Sequence, residues 1–202
     1  MKDDITENVW CSIKNGQDNI LLDCAYRPPN SSNLTNRSIN VLLAEASKLV
    51  TLNRFTTVII CGDFNYPAIK WSKNGYPEIF PHDQESSFFV DNVIDCFLNQ
   101  MVVEHTFHVS DGCTTNTLDL ILTTCENRVT NIVNKPPLGG LNRGHTVLSW
   151  MFMTINNSAK VFDSRSFNFF RGDFNLFMNN LKSIDWESSL KTKMLIIAMS
   201  FS

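Results

Sequence analysis

The sequence predicts an α/β fold in which two helices lie on one side of a mixed set of strands. Three observations carry that expectation. Two strand-like runs, 9–13 and 20–26, face each other across the short polar turn at Asn15-Gly16. A helical apolar period follows over 36–50 and another over 83–101. A β-branched run, 56–61, ends in Gly62-Asp63 between them. Helices segregated from strands that return several times argue for a mixed sandwich.

The elements follow in chain order. Asn15-Gly16 between two strand runs predicts an antiparallel hairpin. Arg27-Pro28-Pro29-Asn30 stops its second strand, because proline fixes φ and cannot donate to a ladder. In the first helix Ile39, Leu42, Leu43, Ala46, Leu49 and Val50 recur at helical spacing, which predicts a face packed on a sheet. The run 56–61 reads as a central, doubly covered strand. The second helix is expected to turn Phe88, Phe89, Val93, Cys96 and Phe97 inward. Strands are then expected at 102–107, 118–123, 129–133 and 146–155. Residues 156–171 read as a linker, and 173–181 as a short amphipathic helix with Phe174, Phe177 and Leu181 on one face.

Bulk properties set limits. The chain has 202 residues and is 43% hydrophobic, enough for one domain with a core. Its net charge of -3 gives no compositional sign of nucleic-acid binding, although a carboxylate-lined metal site contributes negative charge of its own. Six cysteines include no Cys-x-x-Cys pair, which argues against zinc and for reduced thiols in a nuclear or cytoplasmic protein. Residues 1–6 lack the apolar core of a signal peptide, so secretion is not expected, nor glycosylation at the four sequons. The apolar run 194–199 is too short to span a bilayer.

Four segments carry chemistry. Ile59-Ile60-Cys61-Gly62-Asp63-Phe64-Asn65 is a buried strand that ends in a carboxylate and a carboxamide two residues apart. In extended chain, residues i and i+2 point the same way, so Asp63 and Asn65 are expected to converge. Such a pair activates water, holds a divalent ion or orients a phosphate oxygen. The alternative is a strand stop followed by an Asx-turn. In Thr117-Leu118-Asp119-Leu120-Ile121-Leu122-Thr123, Asp119 interrupts an apolar strand and is either partnered or simply faces outward. Tyr26, in Tyr26-Arg27-Pro28-Pro29-Asn30, is a phosphate-contacting hydroxyl or a capping aromatic. His145, which opens a strand after the loop 135–144, is an acid, base or phosphate contact, or a structural histidine.

The order of these segments resembles that of the endonuclease/exonuclease/phosphatase (deoxyribonuclease-I-like) family. The first three are especially similar to the nuclease domain of non-LTR retrotransposon polyproteins. The tail Phe167-Asn168-Phe169-Phe170-Arg171-Gly172-Asp173-Phe174 resembles the connector to reverse transcriptase in the same polyproteins. The resemblance implies part of a four-layer α/β sandwich, with two mixed β-sheets flanked by helices. It implies a partial nuclease domain over 1–155 and a connector over 156–202. The implied reaction is hydrolysis of a DNA phosphodiester assisted by Mg²⁺ or Mn²⁺, nicking target DNA. Asp63 would activate water, with Asn65 beside it. Tyr26 and His145 would contact phosphate, Asp119 would serve the site and the metal, and Thr106 would lie on the DNA-facing side.

Two departures from the family pattern bear on activity. Arg143-Gly144-His145 stands where the family has Ser-Asp-His, so the carboxylate partner of the histidine is expected to be missing, the alternative being a compensating carboxylate from elsewhere in the chain. Loss of such a partner costs several orders of magnitude in rate. The family's first-strand asparagine and its metal-binding glutamate precede the strand that Glu7-Asn8-Val9-Trp10 resembles. The chain is therefore expected to be truncated at its N-terminus, short of metal ligands, impaired as an enzyme and poorly soluble. The competing readings are a non-catalytic retroelement remnant, a phosphate- or nucleic-acid-binding module, and a phosphomonoesterase relative, which the Tyr26–Asn30 run and the connector disfavour.

Overall fold

The structure is a computed structural model that describes residues 7–79, 83–110, 113–137, 144–155 and 173–185. The chain divides into two compact units, residues 1–159 and 160–202. The first opens with β1 (Glu7–Asn15) and β2 (Asp18–Tyr26), paired antiparallel in unbroken register. Their two-residue connection is Gly16-Gln17, with Gly16 at φ 62°, a conformation that costs glycine little. The Pro28-Pro29 run ends β2 and leads to α1 (Asn33–Thr51). Ser32 caps α1 by accepting the Thr35 amide through its side chain. The helix carries the chain across to β3 (Thr57–Asp63), which lies parallel to β2. A crossover of this kind is what a parallel pair requires.

A short hairpin follows, β4 (Ile69–Trp71) with β5 (Pro77–Ile79), and then α2 (Gln84–Asp95), capped by Asp83. The remaining strands of the unit are β6 (Asn99–Gln100), β7 (Phe107–Ser110), β8 (Cys113–Asn116), β9 (Asp119–Thr123), β10 (Val129–Lys135), β11 (Gly144–His145) and β12 (Val147–Phe152). The main sheet has the order β1-β2-β3-β9-β6, antiparallel except for β2-β3. β10 pairs with β12, and β7 lies between β11 and β8.

Alternation along the central strands divides the core in two. Val58, Ile60, Leu120 and Leu122 meet Ile39, Leu43 and Ala46 of α1 and Phe89 and Val93 of α2. Ile59 and Ile121 face the other way, toward Val129, Leu148, Trp150 and Phe152 of the β10–β12 pair. The unit is thus an α/β sandwich of helices, mixed sheet and smaller sheet among the described residues. Full burial of one such aliphatic or aromatic side chain contributes roughly 1.5–3 kcal/mol.

Several expected elements are corrected. The second helix ends at Asp95 rather than near 101, because Phe97 takes φ 54° and the chain turns into β6. Phe97 is consequently 83% exposed, and Phe88 is also exposed, whereas Phe89, Val93 and Cys96 are buried as expected. The strand expected at 102–107 is displaced: residues 101–106 are not strand, and β7 begins at Phe107. The β4–β5 hairpin was not expected from the sequence, although Asn74-Gly75 at its turn is a hairpin signal. In the second unit α3 (Phe174–Ser183) begins at an Asp173 cap, as its amphipathic period predicts. The expected linker, 156–171, lies outside the described residues.

Candidate active site

Strand register builds the site. Tyr26 of β2 stands opposite Asp63 of β3, and Asp63 stands opposite Asp119 of β9. Residues paired across a sheet share a face, so one row at the end of the central strands carries an aromatic hydroxyl and two carboxylates. Glu7 opens the same row on β1, next to Tyr26 and one strand short of the carboxylates. The row lies on the face opposite the helices, where β11 delivers His145.

His145 joins the two carboxylates. Its Nδ1 is 2.8 Å from Asp119 Oδ2, and its Nε2 is 3.6 Å from Asp63 Oδ2. The edge of its ring meets Phe107, with centroids 5.0 Å apart. The expectation that His145 lacks an acidic partner is therefore corrected. The partner comes from Asp119, a residue 26 positions earlier in the chain, because β11 pairs with β7 beside the start of β9. Gly144 supplies no side chain to the ring and instead pairs with His108 in β11–β7. Asp119 does not face outward unpartnered, the alternative its alternation allowed.

Thr106 is placed differently from its expected DNA-facing position. It is fully buried, and its hydroxyl oxygen accepts the amides of Leu118 and Asp119, each at 3.0 Å. Its carbonyl accepts the Thr146 amide at 2.8 Å. Thr106 thus ties the start of β9, through its hydroxyl, to the segment that carries His145, through its carbonyl, and its side chain is buried.

Asp63 and Asn65 do converge, but not by strand alternation. Asn65 takes φ 52°, so the chain curls back. Its backbone amide donates to Asp63 Oδ1 at 3.1 Å and its Nδ2 to Oδ2 at 3.2 Å. That is the geometry of an Asx-turn, so the two readings of the motif coexist. Arg27 holds this turn, and the sequence reading missed it although it stands in the Tyr26–Asn30 run. Its backbone amide donates to the Asp63 carbonyl at 2.8 Å, and its guanidinium donates to the carbonyl of Asn65 at 2.6 Å and to Asn36 Oδ1 at 2.7 Å. The guanidinium also lies 4.0 Å over the Tyr66 ring. Tyr26 itself is 39% exposed at the rim.

Electrostatics single out Asp63. Burial pushes its pKa up to about 6; His145 pulls it down, and the neighbouring charge of Asp119 pushes it up again. Two carboxylates side by side with a cost to ionisation form a place where a cation is favoured. Asp63, Asp119 and His145 each offer one ligand atom, all within 4.8 Å of one another. Carboxylate oxygens suit a hard divalent ion, which is commonly held by one or two carboxylates while water and substrate phosphate complete its shell. The donor set therefore fits such an ion, with Asp119 as a protein ligand and Asp63 beside it.

The profile of the endonuclease-reverse transcriptase family matches residues 20–140. This chain belongs to that family. The matched span contains Tyr26, Asp63, Asn65 and Asp119, and His145 lies just beyond it. Among curated proteins no sequence matches. Among solved structures, this family member is similar to the 3′ phosphatase NExo from Neisseria bound to a product DNA hairpin, at 15% identity and TM-score 0.44, over 67% of this chain and 62% of that one. It is similar to the endonuclease domain of TRAS1, a telomere-specific non-LTR retrotransposon, at 15% identity and TM-score 0.45, over 75% and 70%. It is also similar to beta toxin from Staphylococcus aureus, at 14% identity and TM-score 0.39, over 73% and 57%. The chain thus spans less than two thirds of the first of these. No helix among the described residues is long and apolar enough to cross a membrane.

Proposed function

We propose that this nuclease-family domain hydrolyses phosphodiester bonds of DNA with Mg²⁺ or Mn²⁺, nicking target DNA in retrotransposition, in the nucleus or cytoplasm. The observation that carries the reading is the convergence of Asp63, Asp119 and His145 from three separate strands, within 4.8 Å. The family's description supports the retroelement context.

The geometry supports the following roles. Asp63 takes the proton of the attacking water; a carboxylate whose pKa is raised toward neutrality is a better base than an ordinary one. Asn65, fixed by its turn, orients a phosphate oxygen through its amide. Asp119 holds His145 through Nδ1 and so turns Nε2 toward Asp63 and the cleft, where it contacts the phosphate. Tyr26 at the rim donates its hydroxyl to the phosphate. Thr106 and Arg27 touch no substrate and position Asp119 and Asn65. When bound, the cation supplies positive charge against that of the phosphate.

The test is nicking of supercoiled plasmid with Mg²⁺ by the folded chain, beside Asp63→Ala and His145→Ala. The wild type is expected to nick, and each variant to lose about 10²-fold or more. Folded wild-type protein that binds DNA without nicking it would replace this reading with a nucleic-acid-binding module. Nicking that survives in Asp63→Ala would remove Asp63 from the chemistry.

A further inference from the structure

Parallel pairing of β2 and β3 sets Cys24 directly opposite Cys61. In-register residues share a face, so the two thiols project to the same side of the sheet. Neighbouring strands lie about 4.8 Å apart, inside the roughly 4.4–6.8 Å between Cα atoms that a disulfide bridges. Cys61 is half-buried, and its thiol donates to the Asp23 carbonyl at 3.3 Å. Cys24 is exposed, and Val9, its partner on β1, is 72% exposed, which leaves a small oxidant free access. The other described cysteines lack such a mate. Cys11 stands opposite Leu22, Cys96 is buried with the helix-side core, and Cys125 lies against Thr57; these are the other cysteines whose side chains the structure describes.

We propose that Cys24 and Cys61 form an oxidisable dithiol site that a hydroperoxide closes to an intrachain disulfide. Cys24 meets the peroxide first, because it is the exposed member. Its sulfur takes one peroxide oxygen to give the sulfenic acid and releases water. The Cys61 sulfur then attacks the Cys24 sulfur; the S–S bond forms, the S–O bond breaks, and the departing hydroxide leaves as water with the Cys61 proton. In sum two thiols and one hydrogen peroxide give one disulfide and two waters. The bridge would join β2 to β3 one row below Tyr26 and Asp63. It rests on register and exposure alone and stands whether or not the domain cuts DNA.

The experiment treats the full folded chain with hydrogen peroxide, blocks free thiols under denaturing conditions, and maps peptides by mass spectrometry without reductant. The expected result is a loss of two hydrogens and two alkylatable thiols, a peptide joining Cys24 to Cys61, and reversal by dithiothreitol. Cys11→Ser is expected to close the same bridge, and chain unfolded in denaturant to lose the Cys24–Cys61 preference. The proposal is overturned if Cys24 proceeds to sulfinic acid while Cys61 stays alkylatable. It is equally overturned if the bridge involves another cysteine or joins two chains, or if both thiols survive a peroxide dose that oxidises methionine in the same sample.

Discussion

Single residues in this fold are held by backbone constraints as much as by chemistry. Gly62 precedes Asp63 at φ +143°, and a Cβ there would sit 1.9 Å from the Ala25 carbonyl oxygen on β2. Backbone cannot yield as a flexible side chain can, so Gly62→Ala is expected to cost at least about 4 kcal/mol. Soluble yield and thermal melting check this, and a variant melting like the wild type would contradict it. Asp23 is a different kind of constraint. It is fully buried between Trp10 and Ile60, neither carboxylate oxygen makes a well-formed hydrogen bond, and burial pushes its pKa up to about 7 against the pull of the Cys24 and Val9 amides. A raised folded pKa means that the folded state holds the proton more tightly. Its contribution is therefore complete below about pH 4 and is lost as pH rises through about 7, at up to about 1.4 kcal/mol per pH unit. Asp23→Asn is expected to flatten the fall of melting temperature between pH 4.5 and 7.5, and parallel curves for the two proteins would sink the argument. Arg27 teaches the same lesson as these two: the sequence shows an arginine beside a tyrosine, and only the fold shows that it holds the turn of Asn65.

At the scale of elements, caps and periods were legible and ends were not. Ser32, Asp83 and Asp173 each accept the amide three residues on, and each marks a helix start. The end of α2 depends on Leu98 being buried and Phe97 giving way to exposure, a tertiary choice that the run of apolar residues does not encode. The edge of the sandwich is fastened by an ion pair. Asp18, at the start of β2, accepts Arg128 Nη1 at 3.0 Å and Nη2 at 2.5 Å, and also the Ile155 amide, while Arg128 stacks 4.4 Å over Phe152. The bidentate contact with Arg128 holds the Asp18 carboxyl below its ordinary range. Removing one partner strands the other, so Arg128→Ala is expected to destabilise the unit by about 3–5 kcal/mol. The double variant Arg128→Leu with Asp18→Leu is expected to lose less. Chemical denaturation measures both, and equal losses would mean that stranding is not the cause.

Across the whole unit, the two faces of the main sheet are covered unequally. The helices bury one face over β2, β3 and β9, whereas the β10–β12 pair covers the other over β3, β9 and the start of β2. Among the described residues, the second face remains open over β1 and the end of β2: Val9 is 72% and Ile13 41% exposed, and Cys11 and Cys24 are exposed beside them. Contiguous apolar surface of this kind promotes self-association. Val9→Lys with Ile13→Lys is expected to raise the concentration at which the protein stays monomeric without lowering its melting temperature. Light scattering across a dilution series checks it; unchanged association would place the adhesive surface elsewhere.

The sequence by itself determined the α/β class, the hairpin, both helix faces in outline and the end of the central strand, because hydrophobic period and Gly62-Asp63 are local signals. It also marked Tyr26, Asp63, Asn65, Asp119 and His145 as candidates, through the order of their segments, which resembles that of the family. What only the tertiary structure decided was who partners whom. Asp119 meets His145, and Thr106 turns inward to hold Asp119, because β11 returns to pair with β7 beside the start of β9. That pairing is set by strand register between distant segments, and no local pattern of residues encodes it.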